Sequence, residues 1–330
     1  MKRLIVLLML GLMAVSFTTA CQKDTAPNGP GTTLDDETIV QNMATDDEEE
    51  YLFDEFINDR GDEYGSINFS TFGKVSVPLD TVLRFGRHVR QFPRRVVVDI
   101  RRIARDTISV GVGREFVGDF VVVGVEDTAS ADTVERFFKR LAHVVRRRAL
   151  FVRRHDVDIE TDRHRGWRLA AISFGQGNSI RPESTIDILE VTVTSSSGDS
   201  LVITDPLHQL MYLPEDILRF NRGDQVTVQV KLINNTQNPV DPNGNGSTET
   251  VLLHYGVNRQ HHARKLFTFV GTDPTTGANV YEGTWTIRQH PGRLYRAVVD
   301  VIDNGTIYDT DPHTYPYNST TWSAPYVVLR

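Results

Sequence analysis

Between residues 94 and 174 one pattern recurs: runs of β-branched and aromatic residues interleaved with arginine. Arg94-Arg95-Val96-Val97-Val98-Asp99-Ile100 and Thr107-Ile108-Ser109-Val110-Gly111-Val112 open it. Phe116 to Val125 repeats it, with Gly118 and Gly124 as expected bulges or bends. After a polar loop, Glu126 to Asp132, the stretch Phe137 to His155 alternates basic and apolar residues, as in His143-Val144-Val145-Arg146. Gly166 to Phe174 follows, and Gly175-Gln176-Gly177-Asn178 ends the unit. Successive side chains on a strand point to opposite faces, so this alternation requires sheet with one apolar face and one solvated, basic face.

The remainder keeps a β rhythm without the arginines. Strands are expected at 187–194, 201–204, 225–234, 250–257, 266–270, 281–288, 294–302 and 326–329, separated by clusters of Gly, Pro, Asn and Asp. Ahead of the basic stretch, Leu52, Phe53, Phe56 and Ile57 fall at helical spacing before Gly61, which predicts a short amphipathic helix near 47–60 and a second around Leu79–Arg87. At 330 residues the chain is long enough for two domains, and with 24% charged residues and a net charge of -7 it reads as a folded protein.

The amino terminus carries an address. Met1-Lys2-Arg3 precedes an apolar run, Leu4 to Val15, and then Ser16-Phe17-Thr18-Thr19-Ala20-Cys21. A basic start, an apolar run too short for a comfortable membrane span and small residues before a cut site describe a secretory signal. Cys21 is the one cysteine of the chain, directly after Thr-Thr-Ala, and this resembles a lipoprotein signal: residues 1–20 are removed and Cys21 is lipidated. No thiol then remains for a disulfide, a zinc site or a nucleophile. Residues 21–46, with Pro27, Gly29, Pro30 and Gly31, and the acidic run Asp46-Asp47-Glu48-Glu49-Glu50 read as a flexible acidic tether.

Four further resemblances follow from these residues. Cys21-Gln22-Lys23-Asp24 resembles the export signal of lipoproteins that certain Gram-negative bacteria display outside the outer membrane, which implies a lipid-anchored, cell-surface protein. Asp-Thr/Ser followed by an aliphatic residue or Ala resembles the O-glycosylation sequon of the same bacterial group, which makes Thr25, Thr128 and Thr133 candidate glycosylation sites in loops. A helix, several long strands and a closing Gly166-Trp167-Arg168-Leu169 resemble the cystatin-type cone of nuclear transport factor-like proteins, over residues 47–180. Residues 184–330 resemble an immunoglobulin or fibronectin type III-like β-sandwich. The implied fold class is an α+β cone of antiparallel sheet followed by an all-β sandwich.

Charge is distributed unevenly. Residues 84–168 hold 20 Lys/Arg against 12 Asp/Glu, whereas residues 22–66 hold 2 against 14. Alternation with apolar residues makes the basic set the solvent face of a sheet, and a surface lipoprotein has little reason to meet nucleic acid. No His-Glu-x-x-His, Gly-x-Ser-x-Gly or dinucleotide-binding pattern occurs, so no metal and no cofactor is expected. Asp241-Pro242-Asn243-Gly244-Asn245-Gly246 resembles half a calcium loop but has Leu252 where its strongest carboxylate belongs. Asp303-Asn304-Gly305 suits a tight hairpin and Asp311-Pro312 a turn. Tyr315, Tyr317 and Trp322 are candidates for stacking on sugar rings. The expected function is non-catalytic binding or scaffolding at the envelope, with a glycan or an envelope protein as partner. The alternative is a cone that binds or turns over a small molecule, with His155, Asp156 and Arg168 as its groups.

Overall fold

The arginine-rich runs become three long antiparallel strands in the computed structural model, which describes residues 35–45, 79, 81–125, 134–257 and 263–329. These are β1 (Thr81–Ala104), β2 (Thr107–Val125) and β3 (Glu135–Arg153), paired in the order β1-β2-β3. Burial alternates along β2 from Thr107 to Phe116, as the sequence pattern demands. Gly118 sits opposite Val89, where the register of β1 shifts. A Cβ there would lie 2.1 Å from the His88 carbonyl oxygen, so the close approach of the two backbones admits only glycine.

Next come β4 (Trp167–Ser173) and β5 (Gly175–Ser179), and β5 joins the two halves of the sequence. It pairs with β3 on one side and with β16 (Ser319–Leu329) on the other. From β16 the sheet continues through β15 (Leu294–Asp303), β11 (Glu249–Val257) and β12 (Ala263–Leu266). The sheet curls into a half-barrel, and its two ends approach: Arg264 Nη1 donates to the Phe85 carbonyl at 3.1 Å, and the guanidinium lies 5.8 Å from the Phe85 ring centre. A second sheet has the order β13 (Thr268–Thr272), β14 (Asn279–Thr286), β10 (Gln225–Asn234), β6 (Ile186–Ser195), β7 (Ser200–Ile203). Two short strands are appended to the first sheet: β8 (Leu210–Tyr212) beside β4, and β9 (Leu218–Asn221) parallel to β16.

Alternate residues of the shared strands feed two apolar clusters. Val299, Val301, Trp322, Ala324 and Tyr326 meet Val226, Val228 and Val230 of the second sheet. Phe85, Phe116, Phe120, Val145, Leu252, Ile302 and Tyr317 form the other cluster, within the curl.

Several expectations are corrected. Residues from 81 to 87 form strand, not helix. Val82 and Phe85 stand three apart because the register of β1 shifts between Val82 and Arg84, and this extra residue imitates helical spacing. The last residues of the expected tether form a helix, α1 (Asp36–Thr45). Asp35 caps it, accepting from the Thr38 amide at 2.7 Å, and Ile39, Val40, Met43 and Ala44 are buried on one face. Arg102 and Arg153 both reach Asp36 at 3.4 Å. The only other helix among the described residues is α2 (Asn304–Tyr308), where a hairpin was expected; the Asp303 side chain accepts from Gly305 N at 2.8 Å and caps it. The described residues are therefore mostly β rather than α+β. The hydrogen bonding of β5 runs across the expected boundary at 180–184 and joins strands from both sides of it. The helix expected at 47–60 and the rest of the tether lie outside the described residues.

Candidate functional site

Three rows of side chains cross the outer face of β1, β2 and β3. The register places Asp99 opposite Gly111 and Gly111 opposite Arg148; Val97, Gly113 and Arg146 form the next row, then Arg95, Glu115 and Val144. Alternation sends these side chains away from Val110, Val112 and Arg114, which are buried. Gly111 and Gly113 leave the middle of two rows bare. A Cβ on Gly111 would meet its nearest atom, Asp99 Cβ, at 3.7 Å, and one on Gly113 would meet nothing closer than 3.9 Å. Packing therefore leaves room for at least a methyl group at both positions, and with glycine there the trough is open. With Leu207 at its side, this trough is a groove of about 390 Å³.

The walls are basic. Arg95, Arg146 and Arg148 are exposed, and Arg146 Nη1 donates to Asn178 Oδ1 at 2.8 Å, which steadies one guanidinium. Of the two carboxylates in the lining, Glu115 is engaged by Arg181. Planar guanidinium forks match the geometry of carboxylate, sulfate and phosphate groups, and Val97, Val144 and Leu207 supply apolar contact between them.

A second polar set is closed to solvent. Arg87 donates to both Asp300 oxygens, at 2.6 and 2.7 Å; His254 Nε2 lies 3.1 Å from Asp300 Oδ2, and the Ser319 hydroxyl donates to Asp300 at 3.0 Å. Arg87 Nε donates to the Tyr317 oxygen at 2.8 Å, and the Tyr317 hydroxyl meets His143 Nδ1 at 3.1 Å. Burial, reinforced by the Arg87 charge, holds His143 well below the usual imidazole range, so its ring is neutral. Nearby Lys139 donates to the Gly305 carbonyl at 2.7 Å, and burial brings its ammonium down to about 7. This set ties β1 and β3 to β11, β15 and β16 rather than facing a ligand.

The candidate sugar platform is not one surface. Tyr317 and Trp322 are 0% and 5% exposed, and their rings lie in the two apolar clusters. Stacking on a sugar needs a ring face open to solvent, and these two lack one. Tyr315 is half-buried against Gly305, and its hydroxyl donates to the Asn238 carbonyl at 2.8 Å. His155, Asp156 and Arg168 do not converge: His155 lies 3.3 Å from Asp106, Asp156 pairs with Arg154, and Arg168 pairs with Asp162 at 2.6 Å. Asp241 accepts from Gly246 N at 2.7 Å, as turn chemistry requires. Cys21, Thr25, Thr128 and Thr133 lie outside the described residues. The trough escaped the sequence reading, although its signal was present: two glycines at i and i+2 on the basic face of a strand.

Among the described residues no cluster of His, Cys, Asp and Glu could hold a metal ion, and no helix is long and apolar enough to cross a membrane. Compared with known proteins, the chain matches no family model and no curated sequence.

Proposed function

We propose that this chain is a lipid-anchored, non-catalytic binding module of the cell envelope, displayed at the outer membrane, and that it holds an anionic ligand in the groove over Gly111 and Gly113. The anchor rests on the sequence: the short apolar leader and Cys21 directly after Thr-Thr-Ala. The binding role rests on one observation, a trough that packing does not require, walled by Arg95, Arg146 and Arg148. The groove lining contains no histidine, cysteine, serine, threonine or tyrosine, which favours holding over turnover. A small molecule inside the curl is less favoured, because Phe85, Phe116, Phe120 and Tyr317 occupy that space.

The test is affinity for two polyanions, polygalacturonate and poly-glutamate, at low and moderate salt. Binding should weaken with salt, and Arg146→Glu with Arg148→Glu should reduce it at least about tenfold. Unchanged binding by that double variant removes the groove from the proposal. For the anchor, the native protein should enter the detergent phase on partitioning and Cys21→Ala the aqueous phase.

A further inference from the structure

One edge of the large sheet is open. Among the described residues β1 has one strand neighbour, β2, and its register against β2 runs unbroken from Arg95 to Arg102. The first half of β1 is covered where Arg264 bonds the Phe85 carbonyl. Its second half is not: Val96, Val97 and Ile103 are 40%, 49% and 61% exposed. A strand with one neighbour directs half of its backbone N–H and C=O groups outward. Proline and bulges, which blunt such edges, are absent between Arg95 and Arg102.

The charges along this edge point to a second copy of the chain. Asp99 and Arg101 are exposed and stand two residues apart on the same side of β1. Neither makes an ion pair or a side-chain hydrogen bond among the described residues. Two copies paired antiparallel about a twofold axis make every contact twice, residue i with j and j with i. Opposite residues share a face of the sheet, so the axis passes through a residue and not between two. With the axis at Ile100, Asp99 of each copy falls opposite Arg101 of the other. Opposite side chains stand about 4.5–5.5 Å apart at Cβ, where unlike charges stabilise a strand pair and like charges destabilise it. The centre of this ladder, Val98–Arg102, lies within the unbroken register, and Val97 and Ile103 flank it as opposite neighbours. Val96 falls opposite Ala104, so all three exposed apolar residues are taken in. Arg95 faces Arg105, which lies in the turn beyond the end of β1.

Neighbouring registers lack this match. An axis at Asp99 or at Arg101 sets that residue against itself, and an axis at Val98 sets Arg95 against Arg101. An axis at Val97 pairs Asp99 with Arg95 but draws Pro93, which has no N–H, into the ladder.

We infer that the chain pairs with a second copy of itself along Val96–Ala104, antiparallel, with the twofold axis at Ile100. Arg101 of the second copy then engages Asp99, the carboxylate of the groove lining that Arg181 does not reach. The pairing goes beyond the groove reading and does not depend on it.

The experiment uses the full chain in nonionic detergent, with the protein mass of the particle measured by sedimentation at about 10 µM. The wild-type particle should hold two chains. Asp99→Arg or Arg101→Asp sets like charges opposite one another, and each variant alone should self-associate at least about tenfold more weakly. Mixed in equal amounts, the two variants should associate as wild type does, because two basic residues of one meet two acidic residues of the other. Asp99→Arg with Arg101→Asp in one chain should also restore pairing. The single variants measure how often two anchors merely share a micelle. A wild-type chain that associates no more than they do overturns the pairing and leaves the edge to another protein or to solvent. A mixture that associates no better than its components overturns it too, since the register requires the rescue. Either result leaves the groove reading standing.

Discussion

Arg87 and Asp300, 213 residues apart in the chain, form a two-pronged ion pair with at most 2% of either side chain exposed. The pair joins the first strand of the large sheet to one of its last, so it fixes the curl as well as satisfying two charges.

Removing one partner leaves a buried charge alone, so Asp300→Asn should cost roughly 3–5 kcal/mol in urea unfolding. Replacing both partners, Arg87→Met with Asp300→Leu, should cost less than the single change. Burial alone would raise the Asp300 carboxyl, but Arg87 and His254 override it and hold the group far below the usual carboxylate range. The stability it contributes is therefore complete above the unfolded value, about 4, and is lost as pH falls below it. The gap between wild type and Asp300→Asn should narrow from pH 5 to pH 2.

Lys139 gives the opposite pH signature. Its folded value of about 7, lowered by burial, lies below the unfolded 10.5. Between those values the unfolded chain binds the extra proton, so this group makes stability rise with pH, by at most about 1.4 kcal/mol per unit. Lys139→Met should flatten unfolding free energy against pH between 7 and 9. An unchanged slope in that variant would show that another group sets it.

Gly177 is required by contact and not by conformation. A Cβ there would lie 2.4 Å from Thr321 Oγ1 and 2.6 Å from His143 Nε2. Gly177→Ala should lower stability by about 1–3 kcal/mol, measured as a shift in the thermal midpoint. Adding Thr321→Ala should restore part of the loss, because it removes the nearer obstacle.

The strands were legible because their residues alternate, and that pattern is local. The helix α1 was not, because its apolar residues are few; what marks it is that Ile39, Val40, Met43 and Ala44 share a face, behind the capping Asp35. The curl was not legible either. It depends on which distant strands pair, and Arg87–Asp300 and Tyr317–His143 specify that through contacts no window of sequence contains. Tyr317 and Trp322 misled for a related reason: aromatic residues near prolines look the same whether they end a core or line a loop.

The docking of α1 can be tested separately from the sheet. Val40 is 0% exposed, so Val40→Asp should release the helix. Hydrogen exchange at Ile39–Ala44 should then approach that of an open chain while amides of β10 keep their protection.

The placement of β5 between β3 and β16 has a consequence for biosynthesis. A nascent chain that has reached residue 180 already carries β1 through β5, yet the second neighbour of β5 is made only with residues 319–329. Closure of the large sheet must wait for that strand, and a truncation before residue 319 would leave β5 with β3 alone and β15 with β11 alone, two open edges in mid-sheet.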